Sequence, residues 1–154
     1  MEERKELRVS AIKNGTVIDH ISASVLFKVI SILELKRIDT QMSFGTNLDS
    51  KRLGKKGIIK IADKYPDATD MNKIALIAPE AKINIIKDYK VVEKTSVKTP
   101  EKIGKIFKCF NPKCVTNFEN VTTKFDVIKV KGQLSLKCHY CEKITEQEDF
   151  KIVH

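Results

Sequence analysis

Apolar and polar residues alternate along Leu7-Arg-Val-Ser-Ala-Ile-Lys13, the period-two pattern of a half-buried strand, and Asn14-Gly15 behind it is a tight-turn signal. Thr16-Val-Ile-Asp-His-Ile21 returns as an extended segment whose end carries two polar side chains, Asp19 and His20. Ser22 or Ser24 can then cap a helix running to about Arg37. That helix places Val25, Leu26, Val29, Ile30 and Leu33 on one core-facing stripe, with Lys36 and Arg37 in its last turn, where the helix dipole favours cations. Gln41 to Asn47 reads as a strand, Ser50 to Gly57 as a loop, and Ile58-Ile-Lys-Ile61 as a buried strand that Lys60 interrupts. A lysine in such a run either snorkels to solvent or faces an anion. Asp67 or Thr69 starts a second helix through Met71, Ile74 and Ile77, which the Ala78-Pro79 step ends. Ala81 to Ile86 and Tyr89 to Lys94 complete the set as strands.

The order β-α-β-β-α-β predicts an α+β fold with a ferredoxin-like antiparallel sheet and both helices on one of its faces. The other face needs cover or solvent, and a sheet rich in Ile and Val with an exposed edge favours self-association. Thr95-Ser-Val-Lys-Thr-Pro-Glu101 is polar and Pro-marked, so a junction is expected there, dividing the chain into residues 1–97 and 98–154. There is no internal repeat.

All four cysteines lie beyond that junction, in Cys109-Phe-Asn-Pro-Lys-Cys114 and Cys138-His-Tyr-Cys141. Two such knuckles around a strand-rich insert of 23 residues, Val115 to Lys137, suit one structural Zn²⁺ held by four thiolates. Four sulfur ligands leave no position for water, so the metal would hold shape and perform no chemistry. A disulfide pair or four buried thiols is the competing reading, and His139 could replace a cysteine as ligand. Residues 105 to 154 hold little apolar mass, which makes the metal part of their folding energy. With Zn²⁺ as staple, the second domain is a small β-rich four-cysteine zinc domain.

The 154 residues carry a formal charge of +9, which raises the question of nucleic acid. The excess is spread along the chain without a basic stripe, and seven Phe, three Tyr and no Trp offer little stacking surface for bases. Small polyphosphate ligands fit this charge at least as well, and no nucleic-acid partner is expected. No apolar run approaches the ~20 residues of a membrane span, and Met1-Glu-Glu-Arg-Lys-Glu lacks the shape of a signal sequence. A soluble cytoplasmic protein with no membrane partner is therefore expected.

Ala11-Ile-Lys-Asn-Gly-Thr-Val-Ile-Asp-His-Ile21, Ile58-Ile-Lys-Ile61, Ala78-Pro79, Asn84 with Ile86, Tyr89-Lys-Val-Val-Glu-Lys94 and the four-cysteine spacing follow one another in a specific order and separation. In these motifs, and over essentially its whole length, the chain resembles the family of aspartate carbamoyltransferase regulatory chains, allosteric subunits of pyrimidine biosynthesis. The resemblance implies a non-catalytic chain whose N-terminal domain binds nucleotides and forms a homodimer, and whose zinc domain docks on separate catalytic chains. Two catalytic trimers would assemble with three regulatory dimers, CTP (with UTP) lowering activity and ATP raising it. In such a site backbone groups of Val9, Ser10, Ala11, Ile12, Ile86 and Tyr89 read the base edge, and Asp19 and Lys60 bond the ribose. His20 and Lys94 are left for phosphates, Val17 and Val91 are apolar walls, and Asn84 belongs to the same site. Asn111 and Lys113 in the first knuckle, with Glu142 and Lys143 beside the second, are the candidates for contacting the catalytic chain. Ser10 and Gly57 stand where some members of that family carry acidic residues, and Phe110 where some carry proline.

A zinc-ribbon nucleic-acid binder would explain the cysteines and the charge, but not Asp19 and His20 set against Lys60 and Lys94. A nucleotide hydrolase would need a P-loop, a nucleophile with its base or a carboxylate cluster for Mg²⁺, and the sequence carries none of these.

Overall fold

The extended segment Thr16 to Ile21 is realised as strand β1 (Gly15–Ser22), the centre of a five-stranded sheet in a computed structural model that describes residues 11–153. Helix α1 (Leu26–Ile32), strands β2 (Met42–Ser50) and β3 (Gly54–Ala62), helix α2 (Ala68–Ile77) and strands β4 (Lys82–Lys87) and β5 (Lys90–Ser96) follow. The sheet order is β2-β3-β1-β4-β5, with every neighbouring pair antiparallel. Its first four strands have the expected ferredoxin-like order, and β5 extends the sheet beyond β4. Both helices lie on one face. Ile18, Ile59, Ile61 and Ile83 point to that side and are buried with Leu26, Val29 and Ile74.

Local chemistry accounts for several boundaries. Asp67 starts α2 through a reciprocal cap: its side chain accepts from the Asp70 N–H at 2.8 Å, and the Asp70 carboxylate accepts from the Asp67 N–H at 3.1 Å. Neither Ser22 nor Ser24 caps α1. Their hydroxyls lie 3.1 Å from one another, and a 3-10 turn (Ala23–Val25) leads into the helix. The helix also ends at Ile32 instead of Arg37, because Glu34 turns left-handed (φ 54°) ahead of a second 3-10 turn, Leu35–Arg37. Leu35 lies off the apolar stripe of a continued helix, and this reversal buries it.

The expected loop Ser50 to Gly57 is largely strand, since β3 begins at Gly54 and pairs with β2 from Ser50. Gly57 is buried beneath α1, where an added Cβ would come within 2.8 Å of the Leu26 side chain. Ala11 to Lys13 is not strand, and Leu7 to Ser10 lie outside the described residues. Asn14 is not a hairpin turn residue but a clamp: its carbonyl accepts from Asp63 N–H at 3.0 Å and its side chain from Asp88 N–H at 3.2 Å. Gly15 beside it (φ 142°) has room only for hydrogen, because a Cβ would stand 2.1 Å from the Ile61 carbonyl oxygen.

The described residues divide into two compact units between Lys98 and Thr99. The second holds an antiparallel sheet, β6 (Lys102–Gly104), β7 (Lys124–Val130), β8 (Gln133–Cys138) and β9 (Ile144–Thr145), in that spatial order. Its core is small: Ile103, Phe107, Phe125, Leu136 and Phe150, with the Phe107 and Phe150 rings 5.2 Å apart. Among the described residues no helix is long and apolar enough to cross a membrane.

Candidate functional site

On the face of the first sheet away from the helices, one row of opposed residues crosses four strands. Lys60 of β3 pairs with Val17 of β1, Val17 with Asn84 of β4, and Asn84 with Lys94 of β5. Opposed residues project on the same side, so two ammonium groups, an amide and an isopropyl group share a strip about 14 Å long, three strand spacings. Beside it Ile12, Val17 and Ile86 form a buried apolar cluster with Ile58 and Ala62 packed on it, and Val91 pairs with Ile86. Tyr89 occupies the β4–β5 turn with its ring exposed, and its N–H donates to the Lys13 carbonyl at 2.9 Å. Ala11 is exposed, while Val9 and Ser10 lie outside the described residues.

Beside the strip, further along β1, that strand is bulged. It advances three residues from Ile18 to Ile21 while β3 advances two, and His20 takes a left-handed backbone (φ 58°). The His20 N–H donates to Asp19 Oδ1 at 2.6 Å, and its Nδ1 stands 3.7 Å from Asp19 Oδ2. That Nδ1 is buried without a hydrogen-bond partner among the described residues. The Lys56 Nζ donates to Asp19 Oδ1 at 2.9 Å. Burial holds the Lys60 ammonium below the ordinary lysine pKa, with the Asp19 charge opposing that shift.

In the second unit the two knuckles bring four sulfurs together. All four Sγ atoms lie within 4.8 Å of one another, with Cys109 to Cys141 and Cys114 to Cys138 each at 3.7 Å. A disulfide needs about 2.05 Å, so neither pair is bonded. The edge of a tetrahedron with metal–sulfur bonds of ~2.3 Å is about 3.8 Å, close to the observed spacing. His139 is outside the cluster, exposed and edge-on to Tyr140.

The first knuckle is built around amide hydrogen bonds. The Asn117 side chain donates to the Cys109 and Asn111 carbonyls at 3.0 and 2.6 Å, and the Asn111 side chain accepts from Lys113 N–H at 3.1 Å. The Thr116 hydroxyl donates to Cys114 Sγ at 3.2 Å. In the second knuckle the Cys138 N–H donates to the Lys143 carbonyl at 2.9 Å and the Glu142 N–H to the Cys138 carbonyl at 3.0 Å. Without metal, burial pushes the Cys109 and Cys138 thiols up. Burial acts the same way on Cys141, but hydrogen bonds from the Asn111 side chain and the Lys143 backbone hold it at about 7.

Two protein-family models together span these sites. One, described as the aspartate carbamoyltransferase regulatory chain, allosteric domain, matches residues 7–98, and the other, the metal binding domain of the same chain, matches residues 101–151. The chain belongs to the aspartate carbamoyltransferase regulatory chain family. It is 52% identical over 152 residues to the aspartate carbamoyltransferase regulatory chain of Bacteroides fragilis, covering 99% of each. With the chain of the same name from Pyrococcus horikoshii the identity is 53% over 146 residues, covering 94% of this chain and 95% of that one. It is thus a regulatory and not a catalytic chain, with an allosteric and a metal-binding domain.

Within the allosteric domain the fold brings Ile12, Val17, Lys60, Asn84, Ile86, Val91 and Lys94 onto one face, with Asp19 and His20 beside it at the bulge of β1. Lys56, in the segment that the sequence presents as a loop, joins this group through Asp19. Its signal was the spacing Lys56-Ile58-Lys60, which shares one face once β3 starts at Gly54. Within the metal-binding domain Lys113, Glu142 and Lys143 are exposed, whereas Asn111 is half-buried and braces its own knuckle.

Proposed function

We propose that this chain senses nucleotides for an aspartate carbamoyltransferase: CTP (with UTP) and ATP compete for the open face of the allosteric domain, residues 1–97. The observation that carries this reading is the row Lys60, Val17, Asn84, Lys94, with Asp19, His20 and Lys56 beside it on β1 and β3. Backbone groups of Val9, Ser10, Ala11, Ile12, Ile86 and Tyr89 read the base edge, Val17 and Val91 are its walls, and Asn84 adds an amide. Asp19 and Lys60 bond the ribose hydroxyls, while Lys94, His20 and Lys56 take the phosphates. A polar ligand would also answer the buried His20 Nδ1, which has no partner among the described residues.

The metal of residues 98–154 is one structural Zn²⁺, for which the sulfur type and 3.7 Å spacing of Cys109, Cys114, Cys138 and Cys141 are suited. It holds both knuckles in the shape in which Asn111, Lys113, Glu142 and Lys143 meet the catalytic chain. Dimerisation uses the first unit. Its β2 edge carries exposed Phe44, edge-on to exposed Phe27 with ring centres 5.7 Å apart, an apolar surface suited to a second copy. Three such dimers would join two catalytic trimers in the cytoplasm, CTP lowering and ATP raising the activity of pyrimidine biosynthesis.

Calorimetric titration of the full chain with CTP and with ATP tests the central claim. Lys60→Ala and Lys94→Ala should each lose affinity about ten- to hundredfold, the loss of one charged hydrogen bond. Unchanged binding in both variants would place the nucleotide elsewhere. Elemental analysis should give one zinc per chain.

A further inference from the structure

A cavity of about 150 Å³ opens on the helix side of the first sheet, on the opposite face from the nucleotide strip and wholly within the first unit. Ile18 and Ile61 line it from the sheet, Leu33, Leu35 and Ile38 from the reversal after α1, and Ile74 from α2. Ile18, Leu35, Ile61 and Ile74 are buried, whereas Leu33 and Ile38 are half-buried and Tyr65 is exposed, so the space has an apolar interior and a mouth.

Two polar groups that reach it are already engaged. The Thr16 hydroxyl donates to the Lys64 carbonyl at 2.6 Å, and the Asp70 carboxylate accepts from the Asp67 N–H at 3.1 Å in the cap of α2. A space of this volume with a largely apolar interior is large enough for a benzene-sized molecule.

The geometry points to a second ligand site here, for a small uncharged molecule about one or two rings in size. Anions are disfavoured in the interior on two grounds: the buried Thr16 hydroxyl already donates to a carbonyl, and the half-buried Asp70 carboxylate repels them, while the one lysine of the lining, Lys64, is exposed and its charge is screened by solvent. Nucleotide triphosphates are excluded on size as well. The site is therefore independent of the nucleotide reading, and the two stand or fall separately.

The test uses the full chain with zinc, labelled at Ile and Leu methyl groups for NMR, with indole as the uncharged probe and benzoate as the anionic one. Indole should shift the Leu33, Leu35 and Ile38 methyl signals saturably, and leave Ile128 and Leu136 of the second unit unmoved. Leu33→Trp fills the cavity and should weaken indole binding about tenfold or more. Ile38→Trp, at the half-exposed side, makes the same test where Leu33→Trp fails to fold. Benzoate should bind at least about tenfold more weakly than indole to the parent and gain affinity in Asp70→Asn. Absence of saturable indole shifts, equal indole binding in the filled variants, or benzoate binding as tight as indole would each overturn the proposal. A CTP titration of the same sample reports separately on the nucleotide strip.

Discussion

The Lys56 ammonium donates to Asp19 Oδ1 at 2.9 Å across the bulged end of β1, with both side chains about one-fifth exposed. A nucleotide that claims Asp19 for its ribose must therefore share or displace Lys56, which frees that ammonium for a phosphate. Lys56→Met should lower CTP and ATP affinity about tenfold. In a double-mutant cycle with Asp19→Asn, measured by thermal unfolding, the pair should couple by about 0.5–3 kcal/mol. Strict additivity would show that the contact plays no part.

Lys60 sets binding against stability. Burial lowers its pKa in the folded chain, so between that value and the unfolded value the unfolded chain binds more protons, and stability rises with pH. Below the folded value the charged lysine is a constant burden on folding. Lys60→Met should match or exceed the parent in Tm at neutral pH while losing nucleotide affinity, and its advantage should shrink as pH rises through the alkaline range. A variant that melts well below the parent at neutral pH would contradict this.

Removing the metal should separate the two units. The core of the second unit rests on a few residues, Phe107, Phe125, Leu136 and Phe150 among them, and the buried cysteines complete it only when drawn together. Structural zinc contributes roughly 10–16 kcal/mol of apparent binding free energy at neutral pH. A strong chelator, or Cys114→Ser, should abolish amide-exchange protection in β7 and β8 while β1 and β3 stay protected and CTP still binds. Loss of nucleotide binding together with the metal would show that the first unit depends on the second for its site.

Gly15→Ala should cost about 2–4 kcal/mol in chemical denaturation, because the added methyl meets the Ile61 carbonyl and the backbone lies at positive φ. Little or no loss would mean that β1 and β3 separate there without penalty.

How much of this was legible in the chain depended on range. The four cysteines declare themselves through two short spacings, and Asp67 with Asp70 declares a cap through three residues, so both were readable. The row Lys60, Val17, Asn84, Lys94 exists only through the register of four strands, which no local pattern encodes. Family resemblance supplied its members, and only the ladder showed that they adjoin. Lys56 was lost because Gly54-Lys-Lys-Gly57 has no β-branched residue and reads as loop. Pairing with β2 makes it strand all the same. The early end of α1 was hidden for a related reason: Leu35 reaches the core through a left-handed Glu34, a conformation that glutamate does not advertise.

The extra residue in β1 also bears on how this chain can change over generations. Regular alternation after Asp19 would send His20 toward the helices and Ile21 to the open face. Instead Ile21 pairs with Gly57 and is fully buried, while His20 stays beside Asp19. Losing the one codon for His20 would leave Ile21 on its present side and flatten the strand, so the fold could survive a deletion that strips the imidazole from the site. On the proposed reading of the site, effector response is thus exposed to change in length as well as in residue type, while the scaffold stays intact.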